Sequence, residues 1–328
     1  MSSEAATGNR TETITETAAT GPAAARTHRT PGQLSTRAAW PALVFLSVLI
    51  GGPLLLVTIY SFLTRGKFGV GIVWEGTMRG WKQLLFEERL DGSLRFDPRY
   101  LKIIWSSFVL AGVTTVFTTL VGVPMALWIA TRTPRVRQLL VFAVTIPFWT
   151  NTLVRTYAWM LILNDNGLIN RGLANLGVIN EPLRLLYTTT ATQIGLIYTF
   201  LPFLILPVYA SAEKFDFRLA EAAYDLGARR WALLRRVILP LIKPGIIAGV
   251  VLVFIPALGS FLQPELLGGG KSLMIGNLIQ QQFGPSRNWP FGSAVAVALM
   301  TIVLLVLVVF ALLAKWGATS GAAKAGLL

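Results

Sequence analysis

The chain has 328 residues, of which 54% are hydrophobic and 13% charged, and its formal net charge is +14. Soluble domains carry roughly 25% charged residues, so this composition indicates a membrane protein. The basic residues lie in short loops between apolar runs, which argues against nucleic-acid binding. The chain has no cysteine, and its single histidine, His28, lies in a polar segment. We therefore expect no metal site and no catalytic residues.

The N-terminal residues 1–37 are rich in Thr and Ala and show no apolar periodicity. Such a segment cannot bury enough apolar surface to fold, which predicts a disordered cytoplasmic tail. The first hydrophobic run, at 40–63, comes too late and is too long for a signal peptide. It is therefore predicted to remain as a membrane-spanning helix.

Six apolar runs are long enough to cross a bilayer core of roughly 30 Å as helices. None of them contains Asp or Glu. They predict an all-α, polytopic membrane domain over 38–316, followed by a short tail at 317–328. The six predicted helices are at about 40–63, 103–130, 139–163, 188–210, 245–263 and 293–314.

The basic loops predict the orientation of these helices. The loop TRTPRVRQ at 131–138 has three arginines and no acid, and the longer loop at 211–244 is also basic. Six crossings place both loops on the side of the two termini, and the positive-inside rule makes that side the cytoplasm. The loop at 64–102 is basic as well, although it carries acids too.

The stretch EAAYDLGARRWALLRRVILP at 221–240 is unusually polar for a membrane protein. Gly227 lies where a helix C-terminus favours a positive φ, and a second helix is predicted to begin near Arg229. The sequence therefore predicts a short helix, a sharp turn and a second helix on the cytoplasmic side. Charge pattern alone would equally suit an amphipathic helix lying on anionic lipid.

The order of residues in this stretch resembles the EAA loop of bacterial ABC importer permeases. Val237 stands where that family prefers isoleucine, and the matching positions are Glu221, Ala222, Ala223, Gly227, Leu239 and Pro240. The segments PFWTNTLVRTYAW (147–159), LPFLILPVYAS (201–211) and NWPFGSA (288–294) look like the permease of spermidine/putrescine importers. The resemblance covers about residues 40–315 and implies a type I ABC importer permease fold.

The resemblance also implies a function. The chain would be the permease subunit of an ATP-driven, binding-protein-dependent importer in the bacterial inner membrane, and not an enzyme. Its implied partners are two cytosolic ABC ATPases, a second related permease or another copy of itself, and an extracytoplasmic solute-binding protein. ATP and Mg²⁺ would be used by the ATPases, and this chain would bind no cofactor. The six matching EAA residues would couple it to the ATPase.

The implied solute is a polyamine or a related amino-acid-like compound. A path for a polyamine would favour carboxylates or aromatic faces. Because none of the six runs contains an acid, two explanations stay open. Either a partner permease supplies the carboxylates, or selectivity rests with the external binding protein.

Arg155 is the charged residue inside the run at 139–163, and it is predicted near the outer boundary. Charged residues in membrane segments are functional candidates. Trp149, Asn151 and Trp159 accompany it, and with Arg155 they are candidates for a translocation path or outer gate. The three companions alternatively belong to the interfacial aromatic belt. For Arg155 itself, snorkelling or pairing with Asp165 is preferred to contact with the solute.

The segment GGGKS at 268–272 looks like the end of a phosphate-binding loop, but Glu265 occupies the position of its first glycine. It is predicted instead to be an extracellular turn or a re-entrant segment. The alternative function, an ATP-independent secondary transporter or channel, would call for intramembrane ionisable residues and internal repeats. The sequence shows no acid within the six runs and no obvious repeat.

Overall fold

The structure is a computed structural model that describes residues 36–66, 71–88, 91, 93–215 and 218–325. Except for its last two residues, the predicted N-terminal tail lies outside these ranges. Residues up to Gly52 form a unit of their own, and the core and the sites described below belong to residues 53–328. The helices within the described ranges are α1 Thr36–Tyr60, α2 Arg79–Lys82, α3 Arg99–Ala130, α4 Pro134–Trp149, α5 Thr152–Leu163, α6 Leu168–Asn175, α7 Thr189–Ala212, α8 Arg218–Asp225, α9 Arg230–Leu233, α10 Leu239–Leu258, α11 Leu262–Leu266, α12 Ile275–Phe283 and α13 Trp289–Ala325.

Two small hairpins interrupt the all-helical pattern in the segment between α1 and α3. Strand β1 (Leu63–Arg65) pairs antiparallel with β2 (Ile72–Gly76), and β3 (Phe86–Glu88) pairs antiparallel with β4 (Leu94–Phe96). The Asp97 carboxylate accepts hydrogen bonds from the backbone amide and guanidinium of Arg99, which hold the pKa of Asp97 below its usual value. The second hairpin therefore ends in a polar contact at the start of α3.

The helical spans largely match those predicted, with one error. Within the described residues, α1, α3, α7, α10 together with α9, and α13 are each long and apolar enough to cross a membrane. The prediction of one continuous helix at 139–163 is wrong, because the helix breaks after Trp149 and the segment Thr152–Asn175 runs at 94° to α4. Pro147 lies in the last turn of α4, Thr150 is extended, and the Asn151 side chain caps the new helix. A sixth span exists only if this bent pair crosses the membrane together.

The C-terminal helix is longer than predicted. Helix α13 continues to Ala325, so most of the predicted tail at 317–328 is helical. The predicted boundaries of α3 and α7, by contrast, differ from the observed ones by only a few residues. Long, uniformly apolar segments are thus located well by hydropathy.

The core lies where α3, α7 and α10 converge on Leu204, whose side chain is 0% exposed. A Cβ atom at Gly122 of α3 would lie 2.6 Å from Leu204 Cδ2, and one at Gly249 of α10 would lie 2.9 Å from Leu204 Cδ1. Apolar burial contributes little to helix association in lipid. Close packing around small residues therefore has to supply the attraction between the helices. The two glycines therefore set how closely the three helices approach.

Polar contacts join these helices at both ends of the bundle. Near the start of α7, Gln193 accepts a hydrogen bond from Thr114 Oγ1 at 2.9 Å and donates one to the Leu110 carbonyl at 3.1 Å. Near the end of α7, Glu213 forms an ion pair with Arg137 of α4 at 3.3 Å. The second contact brings the basic loop at 131–138 to the same end of the bundle as the loop at 211–244, as predicted.

Candidate coupling surface and translocation path

The stretch at 218–233 forms a bent pair of helices that we call the elbow: α8, a turn at Gly227, and α9. At the end of α8, the Ala228 amide donates to the Ala223 carbonyl at 2.9 Å and the Gly227 amide donates to the Tyr224 carbonyl at 2.8 Å. Gly227 has a φ of +80°. This pair of hydrogen bonds and the left-handed glycine constitute a Schellman motif, which ends the helix sharply. The predicted turn is therefore present.

Helix α8 exposes an apolar face. Leu219, Ala222, Ala223 and Leu226 follow one another at i, i+3, i+4 and i+7, which places them on one side of the helix. Leu226 is 89% exposed. Glu221 lies in the first turn of α8 on the other side, where the helix dipole stabilises a negative charge. An apolar stripe left open on a polar helix is typical of a surface that docks into a groove.

The elbow continues directly into the membrane core. Helix α9, a π-helical segment at Leu234–Ile238 and α10 follow without a break, so residues 230–258 form one rod. The Leu239 amide donates to the Leu234 carbonyl across the π turn. Proline in a regular helix would clash with the carbonyl four residues earlier, and the wider turn gives Pro240 room.

The structure thus divides the six predicted coupling residues into three groups. Glu221, Ala222 and Ala223 lie on α8, and Gly227 forms the turn. Leu239 and Pro240 begin α10, so they belong to the connection between elbow and core rather than to the docking face. Leu219 and Leu226 were missed in the sequence, although their spacing around the two alanines is the signal that could have identified them.

The four predicted gate residues do not form one cluster. Trp149 ends α4 and is exposed, and Asn151 caps α5 by accepting the Leu153 amide at 2.8 Å. Trp159 packs edge-to-face on Tyr198 of α7, with ring centroids 5.5 Å apart. Because the helix breaks between Trp149 and Thr152, the structure separates Trp149 from Trp159, whereas Asn151 caps the helix that contains Trp159.

Arg155 lies one turn before Trp159 and is half-buried. Its Nη2 donates to Thr152 Oγ1 at 3.1 Å, and its Nε is buried without a partner within the described residues. Of the two preferred roles, pairing with Asp165 is absent, since no ion pair joins these two described residues, and snorkelling stays a prediction. The predicted depth of Arg155 also assumed a straight helix from 139, which the break at 150 removes.

The segment between α10 and α13 turns back into the bundle. Gln263 of α11 donates to Thr199 Oγ1 of α7 at 3.2 Å, and Gly268 abuts Thr192, about two turns nearer the start of α7. Of the two alternatives for this region, the re-entrant segment fits the structure. Lys271 precedes α12 by several residues and does not lie at its N-terminus, which also argues against a phosphate-binding loop.

These features define the membrane component of a transport system. A bundle of apolar helices contains a re-entrant segment, and one end carries an elbow with an open apolar face. Residues 122–316 match the family described as binding-protein-dependent transport system inner membrane component. The chain belongs to this family.

Similar proteins agree with this assignment. The chain is 43% identical to the spermidine/putrescine transport system permease protein PotB of Haemophilus influenzae, over 79% of this chain and 86% of the relative. It is 40% identical to the protein of the same name from Escherichia coli K12, over 79% of this chain and 90% of that relative. A chain of a bacterial alginate ABC transporter has the same fold, with a TM-score of 0.65 and 16% identity. The match covers 84% of this chain and 91% of that chain.

The chain is therefore the permease subunit of a binding-protein-dependent ABC importer, with the type I permease fold. Its relatives are permeases and not enzymes, as the sequence predicted. The alternative of an ATP-independent secondary transporter or channel is set aside by this family membership.

Proposed function

We propose that the elbow is the surface through which a separate ATPase drives this permease. The observation that carries this proposal is the exposed face of α8, with Leu226 at its end, joined through Gly227 to the rod that becomes α10. The small side chains of Ala222 and Ala223 let a partner surface approach closely, and Glu221 offers a carboxylate on the other side of α8. Movement of the ATPase would then be transmitted to the membrane core through the continuous chain from α8 to α10.

The elbow end of the bundle is then the cytoplasmic end, and both termini lie on that side. Support comes from the basic residues that gather there, among them Arg132, Arg135 and the Arg137–Glu213 pair. Basic loops are retained on the cytoplasmic side of membranes.

The complete transporter, in this proposal, contains two copies of the ATPase and a second permease, either a related chain or another copy of this one. An extracytoplasmic solute-binding protein delivers the solute. ATP and Mg²⁺ are bound by the ATPases, and this chain contributes no cofactor site. The family description supports the binding protein, and the relatives' names support the division of labour between subunits.

The solute we propose is a polyamine. Two relatives at 40% identity or more are named as spermidine/putrescine permeases, and each match covers most of both chains. The test is uptake of radiolabelled spermidine and putrescine by the complete transporter in proteoliposomes, with glutamate as the contrasting solute. We expect ATP-dependent uptake of at least one polyamine. Uptake of glutamate alone would contradict the polyamine assignment.

The L226E variant tests the docking face. A charge buried in an apolar groove without a partner is costly, so we expect L226E to lose the ATPase on co-purification while remaining in the membrane fraction. The Y224E variant is the matched control, because Tyr224 is also exposed but lies on the opposite side of α8. It should retain the ATPase. Equal ATPase binding by L226E and wild type would contradict the proposed role of α8.

A further inference from the structure

An acidic side chain lies at membrane depth in the re-entrant segment, although the six predicted spans contain no acid. Helix α7 has 24 residues, and Thr199 is ten residues from its start, which corresponds to about 15 Å along a helix of about 36 Å. Gln263 bonds to Thr199, and Glu265 follows two residues later on the same short helix. Glu265 is therefore between the two ends of a membrane-spanning helix.

The Glu265 carboxylate is held in a fixed direction by Asn277. The side-chain amide of Asn277 donates to Glu265 Oε2 at 2.9 Å and to the Phe261 carbonyl at 2.8 Å, and its oxygen accepts the Met274 amide at 3.3 Å. Asn277 is only 1% exposed. Since all its bonds are internal, Asn277 is placed to orient the carboxylate rather than to meet a ligand.

Glu265 itself has an open side. Its residue is exposed, and no Lys, Arg or His of the described chain forms an ion pair with it. A carboxylate facing lipid is costly, and irregular backbone at this depth is tolerated where it lines a water-filled cavity. Such backbone flanks α11 on both sides, at 259–261 and 267–274. The open side of Glu265 therefore faces water or a neighbouring subunit rather than lipid.

We propose that Glu265 lines the translocation path and binds a cationic amine group of the solute, with Asn277 as its positioning residue. This inference rests on the proposed function and deepens it, because it places an acidic contact for a polyamine on this chain. The side chain of Phe261, one turn earlier on the same segment, is also exposed and offers an aromatic face to an ammonium group.

The E265Q variant of the complete transporter tests this role in proteoliposomes with spermidine. A hydrogen bond to a charged group contributes enough that its loss should lower spermidine uptake about tenfold or more. E265D should retain a larger part of the uptake, and E181Q, which removes an exposed acid outside the helices, should match wild type. The purified E265Q complex should keep its ATPase and its partner permease.

The outcomes separate this inference from the proposed function. Failure of the wild-type complex to import any polyamine would overturn the solute assignment and, with it, the role of Glu265. Wild-type uptake with unchanged uptake by E265Q would overturn only the role of Glu265. Loss of the partner permease from the E265Q complex would show that the carboxylate pairs with the partner subunit. That result would also overturn the proposed role of Glu265 in binding the solute.

A second measurement does not depend on transport. Because the chain has no cysteine, E265C introduces a single thiol. We expect it to react with a membrane-impermeant, cationic methanethiosulfonate reagent in the assembled transporter and to be protected by spermidine. L267C, at a buried position on the same segment, should stay unreactive. An unreactive E265C would contradict a water-lined position.

Discussion

Replacing Gly227 by valine should weaken binding of the ATPase about tenfold and reduce uptake accordingly. The φ of +80° at Gly227 is a left-handed conformation that costs other residues about 1–2 kcal/mol, and a β-branched side chain is among the least tolerant. A Cβ atom at Gly227 would meet no atom within 4 Å. The strain is therefore torsional, and it should open the turn without disturbing the membrane core.

The matched control for this turn is G227N, because asparagine enters the left-handed region more readily than valine. Both variants add a side chain of moderate size at the same exposed place. Titration of purified wild-type, G227V and G227N permeases with the ATPase would compare the three affinities. Wild-type affinity in G227V would show that the direction of α8 does not govern docking.

Replacing Gly249 by leucine should destabilise the core more than any change at the elbow. A Cβ at this position would lie 2.9 Å from Leu204 Cδ1 and 3.2 Å from Leu204 Cα, so a side-chain rotation alone cannot make room. Overpacking typically costs about 1–3 kcal/mol, and leucine adds three further carbons beyond Cβ. Helices α7 and α10 would have to move apart, exposing the surface around Leu204.

The A248L variant is the control for Gly249, because Ala248 is the preceding residue of the same helix and is exposed. Thermal unfolding of the detergent-purified proteins, followed by size-exclusion chromatography, should show a lower midpoint for G249L and little change for A248L. A G249L midpoint equal to wild type would mean that the α7–α10 contact is not close in the folded protein.

The features that the sequence predicted correctly are those that depend on local composition. Runs of apolar residues located α3 and α7 to within a few residues, and the glycine after a helix-forming stretch located the turn at Gly227. The break between α4 and α5 was missed because apolar residues continue on both sides of it. The only local signals are Pro147 and the capping residue Asn151.

The position of Glu265 could not be predicted for a different reason. The glycines and polar residues around it lower the local hydropathy, so the sequence alone leaves both an extracellular turn and a re-entrant segment open. What brings it into the membrane is tertiary contact with α7, through Gln263 and Thr199, which are far apart in the chain. Depth in a bundle is a property of such contacts, whereas hydropathy reports only the transfer of a segment into lipid.

The unbroken rod from residue 230 to 258 acts on the bundle as a lever. Two of its glycines abut α7, Gly245 against Pro207 and Ser211 and Gly249 against Leu204, which makes the stretch between them the fulcrum. At 1.5 Å per residue, the arm from the middle of this stretch toward the elbow is about 26 Å and the arm toward α11 is about 17 Å. A sideways displacement at the elbow would therefore shrink to about two thirds at the far end, while the force delivered there would grow by about half.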